Sequence, residues 1–256
     1  MSASGLSVQP LTGALGVAVF RLPLQSMGPN DLDALLHLVE RHGVVILPDQ
    51  HITTDEHVAL AHELGTPQVH RYHASTGPFP EVLRMRSDRA VADFWHADET
   101  FEETPPDLAV LRMVECPPVG GDTIWVNQCL ALGTLPEEIQ SRLTDLRAVH
   151  VTPDGDVSAI HPMSSLHPIT GRRALFVNPQ FTRSVVGMSQ EDSNALLKVL
   201  FATSDNPDLQ CRWRWHPGDV AIWDNRTTMH RVVADYDRIR HAERIGIVTD
   251  RPFATE

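Results

Sequence analysis

His96, Ala97 and Asp98 put an imidazole and a carboxylate two positions apart. On an extended strand, residues i and i+2 share a face. Both side chains could then reach one metal ion. A histidine from a distant strand would complete a two-histidine, one-carboxylate set that leaves coordination positions open, as non-haem Fe(II) oxygenases require. The spacing alone carries no weight: with 14 His and 20 Asp in 256 residues, about one such pair arises by chance. Other catalytic signatures are absent. There is no GxGxxG, no GxxxxGK(S/T) and no GxSxG, and His62-Glu63 opens an HExxH that fails because position 66 is Thr. Cys116, Cys129 and Cys211 include no CxxC, so neither a zinc ribbon nor a disulfide framework is indicated.

The elements that must position these groups read as short and mostly β. DLDALLHLVER at 31–41 has helical spacing, and a second helix is expected at 54–64 with His57, Leu60 and Ala61 on one face. GVVILP at 43–48, EVLRMRS at 81–87, AVLRMVE at 109–115 and TIWVN at 123–127 read as strands. So do RALFVN at 173–178, GDVAIWDN at 218–225 and RIGIVTD at 244–250. One further helix opens at Pro136 and buries Ile139, Leu143 and Leu146; another opens at Ser189 and buries Leu196, Leu197, Leu200 and Phe201. There is no regular βαβ alternation, which disfavours a doubly wound sheet. The pattern suits a mainly β fold with flanking helices, a double-stranded β-helix (jelly roll, cupin-like), as a single domain over 1–256.

Charge narrows the partners. Lys+Arg is 21 and Asp+Glu is 33, a net charge of −12. A nucleic acid would be repelled overall, so none is expected. The first residues lack a basic start with an apolar run, and no stretch approaches 18 uncharged apolar residues, so neither a leader nor a membrane span is expected. A cytoplasmic protein is the expectation.

Three stretches carry a family resemblance. Trp95-His96-Ala97-Asp98-Glu99-Thr100-Phe101, continued by Glu103-Thr104-Pro105-Pro106, is similar to the metal-binding segment of the taurine/2,4-dichlorophenoxyacetate dioxygenase family. Pro117-Pro118-Val119-Gly120-Gly121-Asp122-Thr123-Ile124-Trp125 resembles the same family, as does Trp223-Asp224-Asn225-Arg226 followed four residues later by His230. The likeness runs from Arg41 to Phe253, with its motifs in the family's order. It implies a jelly-roll dioxygenase dependent on Fe(II), 2-oxoglutarate and O2. His96, Asp98 and His230 match the metal ligands; Thr123 and Arg240 match the groups that hold the far carboxylate of 2-oxoglutarate. Arg238 is the competing choice for that anchor.

The resemblance also implies a small anionic organic substrate. His70 and Arg244 match the positions that grip an anionic head, and Phe181 is a candidate pocket aromatic. Fe(II), Arg240 and Arg244 would form a local positive cavity inside an acidic protein. Before His96, the apolar Val91, Ala92 and Phe94 would suit a tail more hydrophobic than taurine's, although Asp93 could still pair with a cation. A segment from His150 to His167 that is shorter than in many relatives would leave the pocket more open. The expected reaction hydroxylates a C–H bond of an alkyl sulfonate, alkyl sulfate or aryloxy or alkyl carboxylate, with succinate and CO2 as co-products. The rival readings are a biosynthetic hydroxylase or desaturase, a non-redox metal-dependent jelly-roll enzyme, and a binder without turnover. A homo-oligomer, dimer or tetramer, is expected from relatives.

Overall fold

The computed structural model describes residues 6–71, 77–87 and 92–250. Val91 and the segment Arg251-Pro252-Phe253 lie outside the described residues.

Strand Val44–Leu47 is buried at every position, so it is covered on both faces. Its neighbours explain how. The main sheet runs in the order Ser7–Pro10, Val17–Phe20, Val44–Leu47, Val220–Asp224, Leu108–Glu115, Arg240–Val248, Thr66–Gln68, with Leu83–Ser87 also paired to Arg240–Val248. Side chains alternate between two cores, as the pleat demands. Val45, Leu47, Leu108, Val110, Val220, Ile222, Ile245 and Ile247 pack on the helix side. Val44, Ile46, Ala109, Leu111, Met113, Ala221, Trp223 and Ala242 face the opposite way.

Two helices cover the first face. Pro29–His42 starts with Pro at its first turn and buries Leu35 and Val39. Thr54–Leu64 is capped by Thr53, one residue before the expected start: Glu56 N donates to Thr53 Oγ1 at 3.2 Å, and Thr53 N donates to Glu56 Oε2 at 2.7 Å. It buries His57, Leu60 and Ala61, as its periodicity predicts.

A smaller sheet closes the second face. Thr123–Asn127 lies between Gln210–Trp213 and Thr228–Val232, all antiparallel. Trp125 points from it into the core beside Trp223 and Trp215. Truncating Trp223 to Ala would cost about 3–5 kcal/mol. The result is the expected jelly-roll sandwich with helices outside. A three-stranded sheet of Thr182–Val185, Arg147–Val151 and Ser158–Pro162 and the pair Ser164–Leu166 with Arg173–Leu175 lie beyond it.

The differences from the sequence reading are local. The last strand begins at Arg240, not 244, which puts both arginines on one element. Arg173–Leu175 stops three residues short of 178. The helix Glu137–Leu143 buries Leu143 fully and Ile139 in part, and it ends before the half-buried Leu146; in Gln190–Ala202, Leu197 and Leu200 are buried while Leu196 and Phe201 are half-buried. The hairpin of Ser7–Pro10 and Val17–Phe20, with Gly13 and Gly16 in its connection, adds to the expected strands.

Candidate metal centre and its cavity

His96 does not sit in a strand of its own. It makes a single antiparallel bridge to His230, with His96 N donating to His230 O at 3.0 Å and His230 N to His96 O at 2.8 Å. The chain turns immediately afterwards, and Glu99 takes a left-handed conformation with φ of 51°. Asp98 is therefore delivered by a turn, not by the strand alternation expected from His-x-Asp. On the facing strand, His230 lies opposite Trp125 and shares the inner face with it.

The three side chains meet. His96 Nε2 and His230 Nε2 lie 3.7 and 3.8 Å from Asp98 Oδ1, and all three residues are buried. His96 Nδ1 is 2.9 Å from the Phe94 carbonyl. In the neutral ring Nδ1–H donates there, which leaves the Nε2 lone pair facing the cluster. Burial holds His96 down to about 4 despite the Phe94 bond, helped by the Arg244 charge. Burial, then His96 and Arg240, keep His230 well below its ordinary value. Two neutral imidazoles and a carboxylate with Oδ2 buried and unpartnered are the donor set that Fe(II) takes. A cation already lies there: the Arg244 guanidinium contacts Asp98 Oδ1 through Nη1. These residues fit the metal.

The supporting shell comes from the Trp223-Asp224-Asn225-Arg226 segment. Asn225 Oδ1 accepts from Asp98 N at 2.8 Å, and Asn225 Nδ2 donates to the Asp98 and Pro106 carbonyls at 3.0 and 2.9 Å. Asp224 accepts from His167 Nε2 and Arg226 Nη2, both at 2.7 Å. The Arg226 charge and these bonds hold its carboxyl well below the usual range even though burial opposes this. Sequence motifs contained these residues without revealing their part in holding Asp98.

Arg240, Ala242 and Arg244 alternate with Glu243 and Ile245, so both buried arginines point to the inner side of one strand. Arg240 Nε donates to Gly121 O at 2.9 Å, and Arg240 Nη2 to Thr123 Oγ1 at 3.3 Å. Gly121 must be glycine here. Its φ is +73°, and a Cβ would press on Pro117 and on Arg240 Cδ at 3.1 and 3.3 Å. Burial lowers the Arg240 pKa. Among the described residues, no carboxylate pairs with it within 4.0 Å. A buried guanidinium in that state is a site for an anion. The rival Arg238 is exposed and pairs with Asp237.

Arg244 Nη2 donates to Glu99 Oε1 at 2.6 Å. Burial, then Glu102, raise the Glu99 carboxyl to about 7, and burial lowers Arg244 to about 10. Both line a cavity of about 360 Å³ together with His96, Asp98, His70 and Phe181. His70, Arg244 and Phe181 thus border one space. Ala92 lines it too, but Phe94 is 65% exposed and contributes only its carbonyl to the site. Glu99 lies inside the Trp95–Phe101 motif, where nothing in the local sequence points to Arg244.

Residues 7–245 match the family described as taurine catabolism dioxygenase TauD, TfdA family. The alpha-ketoglutarate-dependent sulfate ester dioxygenase of Pseudomonas putida is 33% identical, over 98% of this chain and 92% of that protein. The alpha-ketoglutarate-dependent dioxygenase cnsM of Penicillium expansum is 31% identical, over 96% of this chain and 79% of that protein. Among solved structures, a taurine dioxygenase from Burkholderia xenovorans superposes with a TM-score of 0.88 at 32% identity, covering 96% of this chain and 92% of that one. Motif order, the buried His96–Asp98–His230 cluster and these likenesses agree, and the chain belongs to the TauD/TfdA family as an Fe(II)- and 2-oxoglutarate-dependent dioxygenase.

Proposed function

We propose that this enzyme hydroxylates a C–H bond of a small organic anion, an alkyl sulfonate, alkyl sulfate or aryloxy or alkyl carboxylate. The observation that carries the reading is the pair of buried arginines, 240 and 244, on the inner side of one strand beside the histidine–aspartate cluster. Arg240, without a carboxylate partner among the described residues, calls for the far carboxylate of 2-oxoglutarate, and Arg244, held by Asp98 and Glu99, faces the cavity in which an anionic substrate would lie. The likeness to a sulfate ester dioxygenase and a taurine dioxygenase supports the same class.

In this reading His96, Asp98 and His230 hold Fe(II). When bound, the iron with 2-oxoglutarate and O2 supplies the oxidising chemistry, and the keto acid leaves as succinate and CO2. Thr123 and Arg240 hold the far carboxylate of 2-oxoglutarate. Arg244 and His70 orient the anionic head, and Phe181 bounds the space in which the target carbon lies. A single domain over 1–256 is consistent with one sheet that includes strands from both ends of the described chain. Among the described residues no helix is long and apolar enough to cross a membrane.

The test is succinate release with Fe(II) and 2-oxoglutarate across a panel of alkyl sulfonates, alkyl sulfates and aryloxy acids. Substrate-dependent succinate from at least one anion is expected, with Asp98→Ala abolishing it. Stimulation only by uncharged compounds would overturn the substrate class.

A further inference from the structure

We infer that Trp215 is a positioning residue for the co-substrate: its indole N–H orients the Thr123 hydroxyl as a donor to the far carboxylate of 2-oxoglutarate. The inference rests on the proposed role of Thr123 and Arg240 and adds a residue that does not itself touch the ligand.

Hydrogen-bond valence fixes where the Thr123 proton points. A threonine hydroxyl has one proton to give and two lone pairs to receive. Thr123 Oγ1 receives the Trp215 Nε1–H at 2.9 Å and the Arg240 Nη2–H at 3.3 Å. Neither indole nor guanidinium can accept a hydrogen bond. Both lone pairs are therefore engaged, and the hydroxyl proton is left with the remaining tetrahedral direction. Thr123 is 3% exposed, and among the described residues nothing accepts from it. A buried hydroxyl proton with no acceptor is costly unless a ligand takes it. The anion placed beside Arg240 is that acceptor.

Trp215 is held well enough for this work. It is 4% exposed and packs on Trp125, with ring centroids 6.1 Å apart. It lies two residues beyond the Trp213–Thr123 pair of the smaller sheet. Its neighbours in the same core, Trp125 and Trp223, have no indole partner among the described residues, whereas the Trp215 N–H is spent on Thr123. Without it, the Thr123 hydroxyl could turn its proton to another direction and present a lone pair to the carboxylate.

The experiment compares two keto acids by anaerobic titration of the Fe(II) protein, following the visible band of the chelate. 2-Oxoglutarate carries the far carboxylate, and 2-oxopentanoate has the same chain length without it. In wild type, 2-oxoglutarate should bind far more tightly. In Trp215→Phe, its advantage should shrink by about tenfold, the scale of one charge-assisted hydrogen bond, while 2-oxopentanoate affinity stays within about twofold. In Thr123→Val, adding Trp215→Phe should bring no further loss of the advantage. Trp215→Met, flexible enough to fill the same space, gives the same readout if the phenylalanine variant does not fold. An unchanged ratio of the two affinities in a folded Trp215 variant overturns the inference, as does a full additional loss in the Thr123→Val background. If wild type itself fails to distinguish the two keto acids, the placing of the co-substrate at Thr123 and Arg240 is what falls.

Discussion

Asn225 grips Asp98 by both ends of its amide, accepting from Asp98 N at 2.8 Å and donating to Asp98 O at 3.0 Å. The two residues are 127 apart in the chain, so this clamp joins the turn that presents the carboxylate to the end of a strand of the main sheet. Asn225→Ala should weaken Fe(II) binding by about 10- to 100-fold, the usual effect of removing a group that holds a ligand. It should also lower stability by about 1–3 kcal/mol, because buried backbone groups lose their partner. Anaerobic Fe(II) titration of the apoprotein checks the first; unchanged affinity would show that Asp98 is held without Asn225.

The two arginines should separate in function. Arg244→Ala is expected to raise the KM of the organic substrate by about 100-fold, the loss of a buried charge-assisted pair, and to leave 2-oxoglutarate affinity within about threefold. Measuring both constants in one preparation decides it. Equal losses, or a larger loss in 2-oxoglutarate, would mean that the roles of Arg240 and Arg244 are exchanged.

Glu99 competes for the same guanidinium, with Oε1 2.6 Å from Arg244 Nη2. Any substrate anion at Arg244 shares it with this carboxylate. Glu99→Gln keeps the shape and removes the charge, so the KM for an anionic substrate should fall by about fivefold. Steady-state kinetics on the best anion of the panel measures it. A higher KM would show that Glu99 is needed to orient Arg244.

His57 predicts an acid-sensitive core. Its ring is fully buried, with Nε2 3.2 Å from the Val110 carbonyl and Nδ1 unpartnered. Burial lowers its pKa from 6.5 to about 4, against the Val110 bond and with the Arg112 charge. Below pH 6.5 the unfolded chain takes up a proton that the folded chain refuses until about pH 4. Stability from this residue is therefore full above 6.5 and is lost as pH falls toward 4, by about 3 kcal/mol in all. Between pH 7.5 and 4.5 the urea midpoint of wild type should fall relative to that of His57→Leu. Parallel curves would contradict it.

Much of this was readable from residues, and the failures have physical causes. The alternation in Ala109–Met113 and the run Val44–Leu47 announce strands because their side chains must fill both cores of one sheet. His96, Asp98 and His230 were legible through the motifs around them. How Asp98 is delivered was not, because a turn with a left-handed Glu99 leaves no periodicity to read. Partners such as Asn225 for Asp98, Trp215 for Thr123 and Glu99 for Arg244 lie 127, 92 and 145 positions apart. Nothing local in the chain joins them; the sheets do. The last strand reads as starting at Arg244 because Arg240, His241 and Glu243 break the apolar pattern ahead of it.

The central claim is that His96, Asp98 and His230 hold Fe(II) beside a keto-acid site built on Thr123 and Arg240. Its most direct test is anaerobic addition of Fe(II) and then 2-oxoglutarate to the apoprotein, watching for the weak visible charge-transfer band of the chelate. The band should appear in wild type and be absent in His230→Ala. Folded wild-type protein that binds iron yet gives no band with 2-oxoglutarate would contradict the account.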